Sequence, residues 1–202
     1  MTAAQKTLVL GIGNILWADE GFGVRAVEAF HERFETDDDV TVLDGGTQGL
    51  YLVQFVEACA QLIVFDAIDY GLTPGELRVV RDGDVPRFTG AKKMSLHQTG
   101  FQEVLSAAEL LGRYPQRLAL IGVQPKDLED WGGPLTEPVR AALEPALAVA
   151  RDMLAQWGVR CRLRAEQAAP LLRNDLGDSA YERRGAGIMA VEEGNPCAPL
   201  QT

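Results

Sequence analysis

The sequence predicts an α/β protein: a three-layer αβα sandwich in which a mostly parallel, twisted sheet of about five strands carries helices on both faces. Continuous apolar runs at residues 7–10, 62–65 and 118–123 are typical of strands that are buried on both faces. Stretches with helical periodicity alternate with these runs. A chain of 202 residues, 47% of them hydrophobic, is long enough for one domain with a proper core.

The first half of the chain begins with the strand at residues 7–10, which enters a turn containing Gly11 and Gly13. The next stretch is a predicted helix, because four apolar residues recur at helical spacing: Val24, Val27, Phe30 and Phe34. The remaining predictions are an acidic connector at 35–39, a strand at 40–43, a helix at 48–60, the strand at 62–65, and a strand at 76–81 after the turn at 70–75.

The second half begins with a long loop at residues 82–96, where periodicity is lost. Thr99 and Gln102 form a capping-box pattern that predicts the start of a helix. After the strand at 118–123, Thr136 opens a final helix that runs to about Trp157 and ends at Gly158. We therefore assign residues 1–158 to one domain. Residues 159–202 are rich in Arg, Gly, Pro and Ala and predict a poorly ordered tail.

Composition excludes several classes of partner. The formal net charge of −10 disfavours nucleic acid and anionic membrane surfaces. No apolar run approaches the roughly 20 residues that cross a bilayer, and the N-terminus lacks the pattern of a signal peptide. Three widely spaced cysteines, Cys59, Cys161 and Cys197, favour a reducing compartment. We expect a cytoplasmic monomer without membrane insertion.

The glycine turn after the first strand invites comparison with nucleotide-binding loops. The dinucleotide fingerprint requires Gly or Ala where this chain has Leu16, and no Gly-Lys-Ser/Thr sequence follows the strand. Asp19 and Glu20 would also repel a phosphate. A carboxylate there can instead cap the helix and complement its dipole, an alternative of equal weight for Asp19 and of less weight for Glu20. Nucleotide binding is therefore disfavoured, and detectable ATP or NAD binding would revive it.

Polar side chains collect where the predicted strands end, which is where open α/β sheets bind ligands. The first three strands are followed by Glu20, Asp44 and Asp66 respectively, and the long loop delivers His97 close to a helix start. Two carboxylates and one imidazole suit a divalent ion such as Zn²⁺ or Ni²⁺. A lone histidine is more often structural, so this set by itself is only suggestive.

Six motifs in order make the sequence resemble the hydrogenase maturation proteases, endopeptidases that trim the large subunit of [NiFe] hydrogenases. The motifs are GIGN at 11–14, DEGFGVR at 19–25, DGGT at 44–47, DAI at 66–68, SLHQTG at 95–100 and GVQP at 122–125. The resemblance covers most of the chain, from about Leu8 to Trp157, without a departure at the positions that matter.

This resemblance implies a nickel site formed by Glu20, Asp66 and His97, with the nickel supplied by or shared with the substrate. Other divalent ions such as Zn²⁺ or Cd²⁺ can occupy such a site in vitro. The implied substrate is a nickel-loaded precursor of a [NiFe]-hydrogenase large subunit, which loses a short C-terminal extension. The metal would serve as recognition element. The sequence leaves open whether the metal is also the Lewis acid of a metallopeptidase or only marks the substrate while Asp44 carries out catalysis.

The resemblance also implies that Asp44 is catalytic and that Gly45, Gly46 and Thr47 take part in substrate recognition. An equally weighted alternative is that Asp44 is a turn residue whose side chain accepts from the following amides. Asp19 and Asp69 are expected to be structural, or to support the site residues without binding the metal themselves. A non-catalytic chaperone that checks the nickel loading of the large subunit would need the same metal ligands, so the sequence leaves it as the alternative function.

Overall fold

The computed structural model describes residues 6–85, 96–166, 168–169 and 171. Its main sheet contains five strands: β1 (Thr7–Ile12), β3 (Val40–Gly46), β4 (Gln61–Ala67), β5 (Leu77–Arg81) and β6 (Arg117–Val123). Their order is β3-β1-β4-β6-β5. The first four strands of that order pair in parallel, whereas β5 pairs antiparallel with β6. The predicted mostly parallel five-stranded sheet is confirmed.

Helices cover both faces of this sheet. One apolar cluster joins the odd-numbered side chains of β1, β4 and β6, such as Val9 and Phe65, to α1 (Phe22–Arg33), α4 (Glu137–Ala141) and α5 (Leu143–Gln156). On the other face, a second cluster joins Leu10 and Val64 to α2 (Val53–Val56) and α3 (Leu96–Leu110). The three predicted layers are therefore present. Every residue of β1 and β4 is buried because both faces of these strands are covered, whereas β3 and β5, at the edges of the sheet, are partly exposed.

Several predicted boundaries were wrong. The helix expected at 48–60 is a 3-10 turn at Gly49–Leu52 followed by the single turn α2, because Gly49 has φ +54° and the chain turns again directly after α2. The final helix is divided into α4 and α5 at Ala142. Its predicted end is confirmed, since Gly158 adopts φ +81° directly after Trp157.

The start of α3 also differs from the prediction. The helix begins at Leu96, so Thr99 lies in its first turn and is not the residue before it. No Gly or Pro stands between Leu96 and Thr99, and nothing local therefore prevents the earlier start. Residues 86–95 of the predicted long loop lie outside the described residues; residues 82–84 form a 3-10 turn.

A two-stranded antiparallel sheet lies apart from the main one. It pairs β2 (Phe34–Thr36) with β7 (Cys161–Leu163). β2 begins just before the segment expected to be an acidic connector and extends into it, and β7 lies in the segment expected to be a tail. Arg160 contributes an ion pair with Asp37 at 3.0 Å. The order of residues 172–202 stays a prediction, because they lie outside the described part of the chain.

Candidate active site

Strand order brings two predicted site residues to the same edge of the sheet. β1 lies between β3 and β4 in the sheet. The chain therefore passes from β1 to β3 on one side and later crosses to β4 on the other side of β1. Gly11 of β1 is in register with Asp44 on one side and with Phe65 on the other. Asp66 follows Phe65 directly, and both aspartates therefore stand at the carboxyl edge, on the two strands that flank β1.

The two aspartates belong to opposite faces of the sheet. Asp44 is at the level of Phe65, whose ring packs in the cluster on the α1 face. Because successive strand side chains alternate, Asp66 leaves β4 toward the α3 face. Tyr70, whose pKa responds to the Asp66 charge, packs against the apolar cluster on that same α3 face. A group that meets both carboxylates must therefore lie across the sheet edge.

Asp44 starts a tight turn that continues through two glycines. Its Oδ1 accepts a hydrogen bond from Gly46 N at 2.8 Å, as expected for an Asp turn residue. Gly46 adopts φ +46°, and a Cβ on Gly45 would stand 2.8 Å from Leu10 Cδ1. Thr47, the last residue of the motif, is exposed. The turn alternative for Asp44 is thus present, and it leaves a catalytic role possible because the turn fixes the carboxylate.

The surroundings of Asp44 make its carboxylate a better base. Half-burial raises its pKa above the ordinary value of 3.8, and this effect outweighs the Gly46 amide and the positive charge of Arg25, which both lower it. Arg25 is itself buried on α1 and forms an ion pair with buried Glu28 at 3.0 Å. Sequence reasoning missed this pair, although the spacing of three positions on a predicted helix was an available signal.

Asp66 is buried at the end of β4 beside a tyrosine. It pairs in register with Gly122 of β6, and the missing Cβ of Gly122 makes room for the ring of Tyr70, since an added Cβ would lie 2.9 Å from the Tyr70 hydroxyl. Burial, assisted by the negative charge of Asp66, raises the pKa of the Tyr70 phenol. The phenol therefore remains protonated beside the carboxylate at neutral pH.

Glu20 lies in the connection between β1 and α1, in a 3-10 turn at Ala18–Gly21. Asn14 N donates to Glu20 O at 3.0 Å, and a Cβ on Gly13 would collide with that same Glu20 oxygen. Gly13 N in turn donates to Gly46 O at 3.0 Å. Hydrogen bonds from the GIGN motif thus hold the backbone at Glu20 in place and connect this loop to the turn that carries Asp44.

Asp19 is a structural residue, as expected, although it does not cap α1. Its fully buried carboxylate accepts four hydrogen bonds of 2.7–2.9 Å. The donors are the backbone amides of Lys126 and Asp127 and both the amide and the hydroxyl of Thr136. Asp19 therefore fastens the loop after β6 to the turn that carries Glu20.

Gln124 organises the neighbouring loop, a role that sequence reasoning missed. Its Oε1 accepts from the amides of Tyr70 and Leu72 at 2.8 and 3.1 Å, and its Nε2 donates to Asp69 Oδ1 at 3.0 Å. Asp69 also accepts from Gly71 N, which confirms its expected structural role. The available signal was a polar residue directly after a strongly apolar strand.

His97 lies in the first turn of α3, and its side chain is outside the described residues. The helix α3 nonetheless packs close to the 3-10 turn that follows the Asp44 turn, because a Cβ on Gly100 would meet Gly49 Cα at 3.4 Å. Among the side chains that the structure describes, a set without His97, no three His, Cys, Asp or Glu residues form a metal-binding group. The predicted triad therefore stays a prediction.

Comparison with known proteins assigns the family. The family model for hydrogenase maturation proteases matches residues 24–153. HupD of Rhizobium leguminosarum bv. viciae, a hydrogenase expression/formation protein, is 67% identical over 183 residues, covering 90% of this chain and 91% of its own length. The chain belongs to the hydrogenase maturation protease family. The family resemblance expected from the six motifs is thereby confirmed, and the protein is a maturation endopeptidase.

Two further relatives differ in how much of this chain they match. HoxM of Azotobacter vinelandii is 56% identical over 203 residues, covering 98% of both chains. The solved structure of the hydrogenase maturating endopeptidase HybD from Escherichia coli has a TM-score of 0.75 and 42% identity, and it covers 79% of this chain and 98% of its own. About a fifth of this chain therefore has no counterpart in HybD, whereas the HoxM match includes nearly all of it.

Within residues 6–85 and 96–166, no helix combines the length and apolar character that a bilayer crossing requires.

Proposed function

We propose that this maturation protease removes a C-terminal extension from the nickel-loaded precursor of a [NiFe]-hydrogenase large subunit. The observation that carries the proposal is the position of Asp44 and Asp66 at one sheet edge, on the two strands flanking β1, in a chain of this family. The relatives are named for hydrogenase formation and maturation, which supports this choice of substrate.

Glu20, Asp66 and His97 are the residues proposed to hold the nickel that arrives with the precursor. Two carboxylates and an imidazole are a suitable donor set for Ni²⁺, and three protein ligands leave positions for donors of the precursor. The backbone supports the assignment, since Glu20 follows β1, Asp66 is the penultimate residue of β4 and His97 is the second residue of α3. When bound, nickel would supply a Lewis acid next to the scissile peptide.

Asp44 is proposed as the general base. A pKa raised by burial brings a carboxylate closer to the pH at which a base is most effective, and the Gly46 amide holds the carboxylate in one orientation. The carboxylate would accept a proton from the attacking water. Gly45, Gly46 and Thr47 would bind the backbone of the extension, because the Thr47 end of this turn is exposed.

Because the two aspartates lie on opposite faces of the sheet, the proposal includes an orientation for the bound peptide. A peptide lying across the sheet edge would present one side to Asp66 and the α3 face and the other side to Asp44 and the α1 face. Metal recognition and proton transfer would then occur on different sides of the same peptide bond.

The test is a mass measurement on the large-subunit precursor, once nickel-loaded and once nickel-free. We expect loss of a C-terminal peptide only from the loaded sample, and no loss with His97→Gln, Asp66→Asn or Asp44→Asn. Full processing by His97→Gln would overturn the metal assignment. Tight binding without mass loss would identify the checking chaperone instead. Binding of Zn²⁺ or Cd²⁺, the monomeric state and the cytoplasmic location stay predictions.

A further inference from the structure

An exposed aromatic surface lies directly beside the candidate site. The ring of Trp131 meets the ring of Trp17 edge-on, with centroids 5.0 Å apart and planes at 80°. Trp131 is 63% exposed and neighbouring Leu16 is 38% exposed. We call Leu16, Trp17 and Trp131 the tryptophan patch. The amide of the candidate ligand Glu20 donates to Trp17 O at 2.8 Å, so the patch borders the site.

The patch is held rigidly although it is exposed. Trp17 and Trp131 form an isolated antiparallel bridge, and Gly132 N donates to Leu16 O at 2.9 Å. The buried Asp19 carboxylate fixes the two ends of the segment that carries Trp131 through the amides of Asp127 and Thr136. Ordering large aromatic side chains in advance lowers the entropic cost of binding, and exposed tryptophans are frequent anchors of protein interfaces.

A groove of about 680 Å³ runs along the same loop, and the charged residues that line it indicate which charge a partner would carry. Its lining includes four carboxylates against a single lysine, namely Asp69, Asp127, Glu129 and Asp130 against Lys126. Such an excess of negative charge attracts a basic segment and repels an acidic one. The groove and the patch share the loop after β6, and one partner can therefore contact both.

We propose that the tryptophan patch docks the large-subunit precursor, through an apolar side chain that is flanked by basic residues lying along the groove. This inference rests on the proposed function for the identity of the partner. A second copy of this chain is disfavoured as occupant, because its net charge of −10 would oppose the acidic groove. The patch would increase the affinity for the precursor through contacts away from the scissile peptide bond, since its side chains do not belong to the candidate catalytic set.

The experiment measures precursor binding by calorimetry and precursor cleavage by mass, for wild type and two variants. Trp131→Ala should raise Kd and KM about tenfold and leave kcat within about twofold, as expected for an interface anchor away from the chemistry. Glu129→Gln/Asp130→Asn should raise Kd at low salt and flatten its dependence on ionic strength. Leu110→Ala is the matched apolar control, 89% exposed at the far end of α3, and Glu32→Gln/Glu35→Gln is the charge control.

The outcomes separate this inference from the proposed function. Wild-type cleavage with unchanged Kd and KM for Trp131→Ala overturns the docking surface and leaves the protease assignment intact. Binding that is weakened by Trp131→Ala, in a wild type that never cleaves, supports the docking surface and overturns the protease assignment. Absence of any precursor binding by wild type overturns both. A wild type that self-associates and does not bind the precursor, with self-association lost in Trp131→Ala, also overturns both.

Discussion

Asp19 and Thr136, 117 positions apart, are joined by two hydrogen bonds, in which the Thr136 amide and hydroxyl both donate to the Asp19 carboxylate, at 2.7 and 2.9 Å. Two more amides, those of Lys126 and Asp127, donate to the same group. A carboxylate is the only small side chain that accepts from four donors, because both of its oxygens are acceptors. The position of the loop after β6 therefore depends on the buried Asp19 carboxylate.

The first prediction is that Asp19→Asn destabilises the protein strongly. The amide nitrogen would face a donor, leaving buried N–H groups without an acceptor, and we expect a loss of about 3 kcal/mol in the free energy of unfolding. Urea unfolding followed by circular dichroism measures it. Thr136→Val, which removes a single hydroxyl, should cost only about 1 kcal/mol. Equal stability of Asp19→Asn and wild type would show that the bonds contribute little.

The second prediction concerns the close contact between α1 and the sheet. A Cβ on Gly23 would collide with the carbonyl oxygens of Ile12 and Phe65, which are backbone atoms that cannot move aside. We expect Gly23→Ala to cost about 3 kcal/mol or more, or to prevent folding. Gly83→Ala is the control, since a Cβ there meets nothing within 4 Å, and it should be neutral or slightly stabilising. Thermal unfolding of both variants makes the comparison.

The third prediction is that Asp44→Asn increases stability while abolishing cleavage. Burial raises the folded-state pKa of Asp44 above 3.8, so the ionised carboxylate is disfavoured by folding. The resulting penalty appears as pH rises through the raised pKa and is absent below the ordinary one. The variant should therefore melt above wild type at pH 7, and the difference should shrink toward pH 4. A difference that is independent of pH would contradict this origin.

The same shift predicts the acid limb of the reaction. A general base must be ionised, and kcat should therefore fall on the acid side at a pH above the ordinary aspartate value of 3.8. A pH profile of kcat for the nickel-loaded precursor tests this. An acid limb at or below 3.8 would exclude Asp44 as the base.

The fourth prediction separates a buried ion pair from an exposed one. Arg25→Met leaves the buried Glu28 carboxylate without this partner, and we expect a loss of about 3 kcal/mol. It also removes a positive charge that lowers the Asp44 pKa, so the acid limb should move to higher pH. Arg33→Met, which breaks an exposed pair with Glu144, should cost less than about 1 kcal/mol. Chemical unfolding and pH profiles check both expectations.

Much of the fold follows from local patterns. The apolar runs ending at Leu10, Phe65 and Val123 predict strands because a strand covered on both faces must be apolar throughout. The spacing of Val24, Val27 and Phe30 predicts α1 for a similar reason, since one helical face must be buried. Such patterns also placed Asp44 and Asp66 at strand ends.

Other features depend on distant parts of the chain and have no local pattern. The antiparallel direction of β5 and the pairing of β2 with β7 are decided by which strand edge each segment meets. Short segments such as Cys161–Leu163 carry too few residues for periodicity, and their pairing energy comes from the partner strand.

The sequence by itself determined the family, the layers of the fold and the residues that end its strands, because these are written in local composition, periodicity and ordered motifs. Only the tertiary structure decided that Asp44 and Asp66 belong to opposite faces of the sheet, that Asp19 holds the loop after β6, and that Trp17 meets Trp131. Strand order, side-chain alternation across paired strands and hydrogen bonds between residues more than 100 positions apart arise only when the chain is packed.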